Sequence, residues 1–359
     1  MEKKIGLFIR SLHKGGAEKQ SVLLAKYLQD FFPTYLIVFH PEGGFLNLAK
    51  KNNINLILLN KKGISKIFQL HKFLRKNNIN ILFCFLPLNN IIGGFIGRLA
   101  GVQRIFGGIR GSKIKESKVK MNLQKFVCNH ISEKFISNSM SAKKTYSDFG
   151  YNSNKIIEIP NAIEVNYSFI DKIVHKEIRI LSVGRFTEEK DYFTAIKAIY
   201  FLLRINKKSN YKFSYKIIGY GDLKKSILFF IDKHNLAKYI EIIDGNKIDD
   251  ITPFLRESDI FLNTSIYEGM SNAVMEAMSF SLPIVATKAG DTSKLVVDGF
   301  NGYLCEIQDH RDIASKLNLL INNFDLRKLM SFNSYKHILN NFPLDKIGKY
   351  YLDLINSNS

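Results

Sequence analysis

Short runs of β-branched and aromatic residues alternate with helical patterns along the first half of the chain. Such alternation predicts a parallel sheet whose strands are joined by crossover helices. The predicted strands of this first series are Ile5–Arg10, Tyr35–Phe39, Leu56–Leu59, Ile81–Phe85, Arg104–Gly107, Lys134–Ser137 and Ile156–Ile159. The pattern then starts again, and the predicted strands of the second series are Arg179–Val183, Ser214–Ile218, Ile240–Ile243, Asp259–Leu262 and Pro283–Ala286. From His310 onward the pattern is helical.

Two series of strands predict two domains, and a chain of 359 residues is long enough for each to bury its own core. Pro160-Asn161-Ala162 and the polar stretch to Lys176 are the predicted linker. We expect an α/β fold of two Rossmann-like, doubly wound domains facing across a cleft, comprising residues 1–163 and 164–340. A helix within 341–359 is expected to pack back on the first domain.

The composition excludes several classes of protein. The hydrophobic fraction is 46%, and no run approaches the ~20 apolar residues that span a membrane. Met1 to Lys4 lead directly into the first strand, so we expect no signal peptide. Three scattered cysteines indicate reduced thiols in a cytosol. The eight histidines form no metal-binding pattern and no Asp-x-Asp occurs, so no metal site is expected.

A formal net charge of +20 and a pI near 9.6 favour anionic partners. The excess is concentrated in one segment, where Glu116 alone opposes Arg98, Arg104, Arg110, Lys113, Lys115, Lys118, Lys120 and Lys125. This segment predicts contact with a phosphate-rich ligand or an anionic membrane surface. No helix-turn-helix, RNP or zinc-finger pattern accompanies it, so nucleic acid is not expected as a partner.

The most informative segment is Tyr267–Glu276, in which two glutamates flank a small, turn-prone loop before an apolar helix. Backbone N–H groups at a helix N-terminus suit the oxygens of a sugar or phosphate. Glu276, placed about two turns into the helix, suits the hydroxyls of a ribose. The alternative is that Glu268 caps the helix and Glu276 is solvated.

A second segment, Ser182–Asp191, ends a predicted strand in Gly-Arg and carries Lys190 just before a helix. Arg185 and Lys190 together suit a departing nucleoside diphosphate, whose charge grows as the glycosidic bond breaks. The alternative is a local salt bridge with Glu188 or Glu189.

Glycine turns follow other strands. Gly15 and Gly16 stand before an amphipathic helix, where the backbone can approach an anion closely. They do not form the G-x-G-x-x-G fingerprint of dinucleotide-binding proteins. Gly219, Gly221 and Gly245 follow later strands. A purely structural turn is the alternative in each case.

These segments, in this order, resemble glycosyltransferase family 4, whose members are retaining enzymes with the GT-B fold. The resemblance implies a metal-independent hexosyltransferase that needs no cofactor and uses a nucleotide-sugar, such as a UDP- or GDP-sugar, as its donor. It implies a growing oligosaccharide, carried on a polyprenyl diphosphate, as acceptor in the assembly of lipopolysaccharide, capsule or another surface glycan. The expected location is cytoplasmic, peripheral on the inner face of the cytoplasmic membrane.

The resemblance assigns the acceptor to the first domain and the nucleotide-sugar to the second. The implied catalytic residues are Arg185, Lys190 and Glu268. The implied donor-binding residues are Gly15, Gly16, Gly184, Gly219, Gly221, Gly245, Gly269, Met270, Ser271, Asn272 and Glu276. The implied acceptor-binding residues are Arg110, Ser112 and His13. The sequence departs from the family in having Asp191 after the lysine, Ala162 at the domain junction, and an arginine-containing loop where many members have histidine.

Three alternatives stay open from the sequence. A sugar-nucleotide epimerase of the same architecture would cleave the same bond without an acceptor. A basic nucleic-acid-binding protein would use the charge alone. A GT-B-like binding module would have lost catalysis, against which the intact Arg185, Lys190, Glu268 and Glu276 argue.

Overall fold

The computed structural model describes residues 2–111, 114, 116–165, 168–171, 173, 176–207 and 211–357. The chain divides into two compact units. Unit 1 is built from two stretches, Met1–Glu164 and Phe342–Ser359, and unit 2 is the stretch between them, Val165–Asn341.

Unit 1 contains a seven-stranded sheet in which every neighbouring pair of strands is parallel. Its strands are β1 (Ile5–Ile9), β2 (Thr34–Val38), β3 (Asn55–Leu58), β4 (Ile81–Cys84), β5 (Arg104–Ile109), β6 (Lys134–Ser137) and β7 (Ile156–Glu158). The order across the sheet is β3-β2-β1-β4-β5-β6-β7. The strand order therefore reverses between β1 and β4, which makes this the switch point of a doubly wound sheet.

Helices connect these strands, and their buried faces supply the core. They are α1 (Gly16–Leu28), α2 (Phe45–Lys51), α3 (Ser65–Lys76), α4 (Pro87–Leu99), α5 (Lys118–Phe126) and α6 (Met140–Asp148). A π-helical turn, Val127–Ile131, continues α5. In α1 the apolar residues Val22, Leu23, Ala25 and Leu28 are buried, as an amphipathic helix on a sheet requires.

Unit 2 repeats the plan with a six-stranded parallel sheet in the order β10-β9-β8-β11-β12-β13. Its strands are β8 (Glu177–Val183), β9 (Lys212–Gly219), β10 (Ile240–Asp244), β11 (Ile260–Asn263), β12 (Ile284–Thr287) and β13 (Gly302–Cys305). Its helices are α7 (Tyr192–Ile205), α8 (Lys224–Lys233), α9 (Thr252–Glu257), α10 (Asn272–Ser279), α11 (Thr292–Leu295), α12 (His310–Asn322) and α13 (Phe324–Asn341). The switch point here lies between β8 and β11.

A final helix, α14 (Leu344–Asn356), packs against α1 and belongs to unit 1. Gly348 allows this because a side chain there would overlap the ring of Tyr27. At the other end of α14, the guanidinium of Arg104 donates to the carbonyl oxygens of Leu354 and Ile355, each at 2.9 Å. Glu133 binds the same guanidinium through both carboxylate oxygens, at 2.6 and 2.7 Å, and this hydrogen bonding raises the pKa of Arg104. A permanent cation therefore satisfies the last carbonyls of the helix.

The sequence-based strand predictions are confirmed by overlap with β1 to β12, and the helical tail is confirmed by α12, α13 and α14. The prediction was wrong in omitting β13. No helix in the described part of the chain combines the length and apolar composition that a bilayer crossing requires.

Candidate active site

The candidate site of unit 2 lies at its switch point, where loops leave the carboxyl ends of β8 and β11. The loop after β8 contains Gly184, Arg185 and a short 3₁₀ turn, Glu188–Lys190. The loop after β11 leads to Glu268. Because β8 and β11 are parallel neighbours, both loops leave from the same edge of the sheet. Residues 78 positions apart in sequence can therefore meet.

Lys190 and Glu268 do meet, and they form an ion pair between Nζ and Oε1. The side chains are 20% and 13% exposed, respectively. Ser265 Oγ lies 2.9 Å from the same carboxylate oxygen and 2.7 Å from Asn263 Oδ1. The alternative from the sequence was a salt bridge to the neighbouring Glu188 or Glu189, but the partner of Lys190 is Glu268. Glu268 orients the ammonium group and occupies one of its three N–H donors, which leaves two for a ligand.

Further hydrogen bonds hold the two loops together. Thr264 Oγ1 lies 3.1 Å from the carbonyl oxygen of Lys190 and 3.0 Å from that of Asp191. The backbone N–H of Ile266 donates to Glu189 at 2.8 Å. Asp191 has a left-handed backbone, φ 43°, and its carboxylate accepts from the N–H of Thr194 to cap α7. The backbone of Glu189, Lys190 and Asp191 is thus held against the loop after β11.

Helix α10 begins at Asn272, so Glu276 lies about one turn into the helix rather than the predicted two. Ser271 is the N-cap residue, but its side chain makes no capping hydrogen bond. Met270 and Ser271 are both buried, each with 4% of the residue exposed.

Gly290 supports the loop that carries Glu268. Its φ is +56°, and a Cβ at this position would overlap the carbonyl oxygen of Glu268. The next residue, Asp291, donates its backbone N–H to the carbonyl of Gly269 at 3.1 Å. Glycine is required here both by the backbone conformation and by the close approach of the two loops.

Three of the predicted glycines stand side by side at the ends of β8, β9 and β10. A Cβ on Gly219 would overlap the carbonyl oxygen of Gly184, and a Cβ on Gly245 would lie 3.3 Å from the backbone of Gly219. Gly221 has φ +141° and faces the backbone of Phe186. Because these positions are glycines, the loops after β8, β9 and β10 can lie close together. All three loops leave the sheet at the edge where Lys190 lies.

Two other side chains complete this edge. Arg185 is exposed and has no ion-pair partner among the residues that the structure describes. Tyr192 is 4% exposed, and its hydroxyl lies beside Gly184. Burial raises the pKa of Tyr192 well above 10, and Tyr215 and Glu268 add to this, so the hydroxyl stays protonated. Tyr192 is therefore a donor and not a base.

In unit 1, the predicted residues of the first loop lie at the end of β1. His13 is exposed, with Nε2 3.4 Å from a carboxylate oxygen of Glu42. Gly15 is the N-cap residue of α1, and a Cβ there would overlap the carboxylate of Glu18. A carboxylate thus covers the helix N-terminus at which an anion was expected, and an anionic ligand would have to displace it.

Arg110, expected to bind an acceptor, is half-buried and held inside unit 1. Its Nη1 donates to Asn161 Oδ1 at 3.0 Å, and its Nη2 lies 3.4 Å from the hydroxyl of Tyr351 on α14. The guanidinium also lies 5.3 Å from the ring centroid of Phe85. The recess around it is too narrow to admit a water molecule. Ser112, the other expected acceptor residue, lies outside the described residues, as do Lys113 and Lys115.

Comparisons with known proteins identify the family of this chain. The sequence model of the family Glycosyl transferases group 1 matches residues 166–337. An uncharacterized glycosyltransferase of Methanocaldococcus jannaschii is 30% identical over 258 residues, covering 66% of this chain and 70% of the relative. The chain belongs to the group 1 glycosyl transferases.

Other relatives of this group 1 glycosyl transferase are more distant but cover more of it. The UDP-Gal:alpha-D-GlcNAc-diphosphoundecaprenol alpha-1,3-galactosyltransferase of Escherichia coli is 26% identical over 336 residues, 84% of this chain and 82% of the relative. The crystal structure of Anabaena HepE in complex with UDP and glucose matches with a TM-score of 0.86 at 16% identity, covering 99% of this chain and 100% of that one. The fold, two Rossmann-like α/β units of the GT-B class, is confirmed.

Three polar residues of this glycosyl transferase escaped the sequence analysis. Ser265 contacts Glu268 and Asn263 contacts Ser265, and the Nδ2 of Asn263 is buried with no hydrogen-bond partner among the described residues. Asn89, in the first turn of α4 at the switch point of unit 1, is 1% exposed, and both polar atoms of its side chain are likewise unpartnered within the described chain. The available signal was a polar residue at the end of a buried strand, as with Asn263, or in the first turn of the helix that follows one, as with Asn89.

The cysteine thiols of this group 1 glycosyl transferase are not activated as nucleophiles. All three cysteines are buried and unpaired. Burial raises the pKa of the Cys128 thiol to about 12, and it also raises the pKa values of Cys84 and Cys305, so the thiols stay protonated. Within the described residues, no three His, Cys, Asp or Glu side chains are placed to hold a metal ion.

Replacement of Arg110 by alanine separates its structural role from acceptor binding. Loss of a charged hydrogen-bond donor is expected to lower the free energy of unfolding of unit 1 by about 1.5–3 kcal/mol. If Arg110 also binds the acceptor, the KM for acceptor should rise. Chemical denaturation and acceptor-dependent kinetics measure the two effects.

Tyr351→Phe is the control for Arg110→Ala, because it removes only the longer of the two polar contacts. It should cost under about 1 kcal/mol. An Arg110→Ala variant that is less stable but keeps the parent KM would contradict a role in acceptor binding.

Proposed function

We propose that this group 1 glycosyl transferase is a retaining hexosyltransferase of family 4. It moves a sugar from a nucleotide-sugar to a growing oligosaccharide on a polyprenyl diphosphate, in the assembly of a bacterial surface glycan. The observation that carries the proposal is the Lys190–Glu268 ion pair at the switch point of unit 2. Open doubly wound sheets bind their ligands at this position.

The leaving group explains why a lysine stands there. When the bond between the anomeric carbon and the phosphate oxygen breaks, the electron pair passes to that oxygen and the diphosphate gains negative charge. The ammonium of Lys190, already oriented by Glu268, stabilises this charge without having to reorganise. The exposed guanidinium of Arg185 provides a second cation on the same loop.

The remaining roles follow the order of the loops. Glu276 accepts from the ribose hydroxyls, and the backbone N–H groups of Gly269 to Asn272 contact the donor phosphate and sugar. The acceptor oxygen attacks the anomeric carbon from the face that the diphosphate leaves, and its proton passes to the leaving phosphate oxygen. No protein nucleophile or metal ion takes part.

The relatives support the choice of substrates. The Escherichia coli relative is a galactosyltransferase that takes UDP-Gal and a diphosphoundecaprenol-linked sugar, and the Anabaena structure holds UDP and glucose. A UDP-sugar is accordingly the first donor to test, with a GDP-sugar second. A lipid-linked acceptor places the enzyme at the inner face of the cytoplasmic membrane.

A thermal-shift series with UDP, GDP and ADP tests the donor site. A nucleotide present at a hundred times its Kd should add about 2.7 kcal/mol to the stability of the protein. Glu276→Ala should abolish the shift, because the ribose loses its acceptor. The control is Glu257→Ala, which removes an exposed glutamate of unit 2. The absence of a shift with every nucleotide, or an unchanged shift in Glu276→Ala, would count against the proposal.

A further inference from the structure

Behind the Lys190–Glu268 ion pair, one serine hydroxyl faces two acceptors. Ser265 Oγ lies 2.9 Å from Glu268 Oε1 and 2.7 Å from Asn263 Oδ1. A hydroxyl carries one proton, so it can donate to only one of these oxygens. Asn263 Nδ2, which has two N–H groups to donate, is buried and has no hydrogen-bond partner among the residues that the structure describes. In this orientation of the amide, an acceptor lacks a donor while a donor lacks an acceptor.

A half-turn of the Asn263 amide exchanges Oδ1 and Nδ2 and removes this mismatch. Nδ2 then donates to Ser265 Oγ, and the serine proton can go to Glu268. The exchange gives up one long contact, since the backbone N–H of Ser265 lies 3.4 Å from Asn263 Oδ1. It leaves a carbonyl oxygen without a partner in place of an N–H group, which is the arrangement that folded proteins tolerate more often for amides.

The backbone of Ser265 is held in place, so the hydroxyl cannot leave Glu268 by a movement of the loop. Ser265 and Thr287 are both fully buried, and Thr287 Oγ1 donates to the carbonyl oxygen of Ser265 at 2.5 Å. Asn263 is the last residue of β11, a strand in which every residue is buried. The direction of the Ser265 proton is therefore decided by the side chain of Asn263.

We propose that Asn263 and Ser265 are positioning residues for the Lys190–Glu268 pair. Asn263 donates to Ser265, and Ser265 donates to Glu268. The lysine and the serine meet on the same carboxylate oxygen, so Glu268 cannot turn away from one without losing the other. Both positioning residues are buried and act through Glu268, not on the donor. The inference rests on the proposed function, in that sugar transfer depends on the orientation of Lys190.

Ser265→Ala tests the hydrogen bond from the serine to Glu268. The ammonium of Lys190 contributes most when the leaving diphosphate gains charge, so its misorientation should act on kcat. We expect kcat to fall about tenfold while the KM for a UDP-sugar stays within about twofold of the parent value. Ser334→Ala is the matched control, because Ser334 is another fully buried serine of unit 2 and donates to the carbonyl of Asn301 at 2.9 Å. It should keep the parent kcat.

Asn263→Asp tests the hydrogen bond from Asn263 to the serine, because it keeps the shape of the side chain and makes donation depend on pH. An ionised carboxylate only accepts, so it takes the hydrogen bond of Ser265 and Glu268 loses its donor. A protonated carboxyl can donate to Ser265 again. Relative to the parent, the kcat of Asn263→Asp should be about tenfold lower at high pH and should recover as the pH falls.

The double variant Asn263→Asp with Ser265→Ala separates this effect from simple repulsion. A new negative charge near the diphosphate lowers kcat at high pH whether or not the serine hydroxyl is present. If the charge acts through Ser265, the pH response of the double variant relative to Ser265→Ala should be about tenfold smaller than that of Asn263→Asp relative to the parent. Equal pH responses in the two backgrounds would overturn the role of Asn263.

Hydrogen exchange of residues 265–270 is measured without substrate as an independent test. After correction for the intrinsic rate at each pH, exchange should be faster in Ser265→Ala than in the parent or in Ser334→Ala. It should be faster in Asn263→Asp at high pH than at low pH. Because this measurement needs no donor, it tests the two hydrogen bonds even in a protein that transfers no sugar, and the two failures can be told apart.

Ser265→Ala removes a single hydroxyl, and it decides the question if Asn263→Asp does not fold. A Ser265→Ala variant with the parent kcat would overturn the inference. So would parent-like exchange in its 265–270 segment, because Glu268 would then be held without the serine.

Discussion

Replacement of Lys190 by alanine is expected to lower kcat about 10²–10³-fold, as loss of one preorganised donor does at other charged transition states. The cation is lost where the leaving diphosphate gains charge. The variant also leaves the carboxylate of Glu268, which is 13% exposed, without its partner and facing the donor phosphates. Steady-state transfer with a UDP-sugar measures the change.

The two contributions to this loss can be separated by a double-mutant cycle with Glu268→Gln. If repulsion from the unpaired carboxylate is part of the effect, Lys190→Ala with Glu268→Gln should be less impaired than the sum of the single variants predicts. Lys216→Ala is the matched control, because Lys216 is another ion-paired lysine of unit 2, 3.7 Å from Glu241. Near-parent kcat in Lys190→Ala would refute the role of Lys190.

Replacement of Gly290 by alanine is expected to lower kcat/KM by about 10²-fold, although this residue has no proposed contact with substrate. The new Cβ would overlap the carbonyl oxygen of Glu268 and would also occupy a backbone conformation of φ +56°. The loop must move to accept it, and a shift of about 1 Å at a reacting centre can cost this much. Kinetics and the UDP thermal shift report the displacement.

Gly299→Ala is the control for Gly290→Ala. Gly299 has φ +74°, yet a Cβ there has nothing within 4 Å. Gly299→Ala should lower the free energy of unfolding by about 1–2 kcal/mol, because alanine is strained in this backbone conformation. It should have little effect on kcat/KM. Equal activity of the two variants would show that the contact with Glu268 does not position the loop.

The sequence predicted most of the fold because the strands that matter are fully buried. In β1 and β4 every residue is buried, so a continuous apolar run marks each strand. β13 escaped because its four residues include a glycine and only Gly302 and Cys305 are buried. The strand is recognisable only beside β12, where a Cβ on Gly302 would overlap the carbonyl of Ile284.

The candidate site was less accessible to sequence reasoning, because its contacts depend on strand order. Lys190 could be assigned to a loop, but its pairing with Glu268 follows from β8 lying next to β11. Arg110 was expected from the sequence to bind the acceptor, but its contact with Tyr351, which lies 241 residues further along the chain, could not be predicted. Hydrophobic patterns indicate which residues are buried, but they do not indicate which side chains a buried sheet brings together.

Because unit 1 consists of two separate stretches of the chain, it can be completed only at the end of synthesis. Helix α14 completes unit 1, through Arg104 and the contact of Gly348 with Tyr27, but the ribosome reaches α14 only after it has translated all of unit 2. Domains fold as units during synthesis. Unit 2 can therefore reach its final structure while the larger stretch of unit 1, although synthesised first, still exposes the surface of α1 that α14 covers.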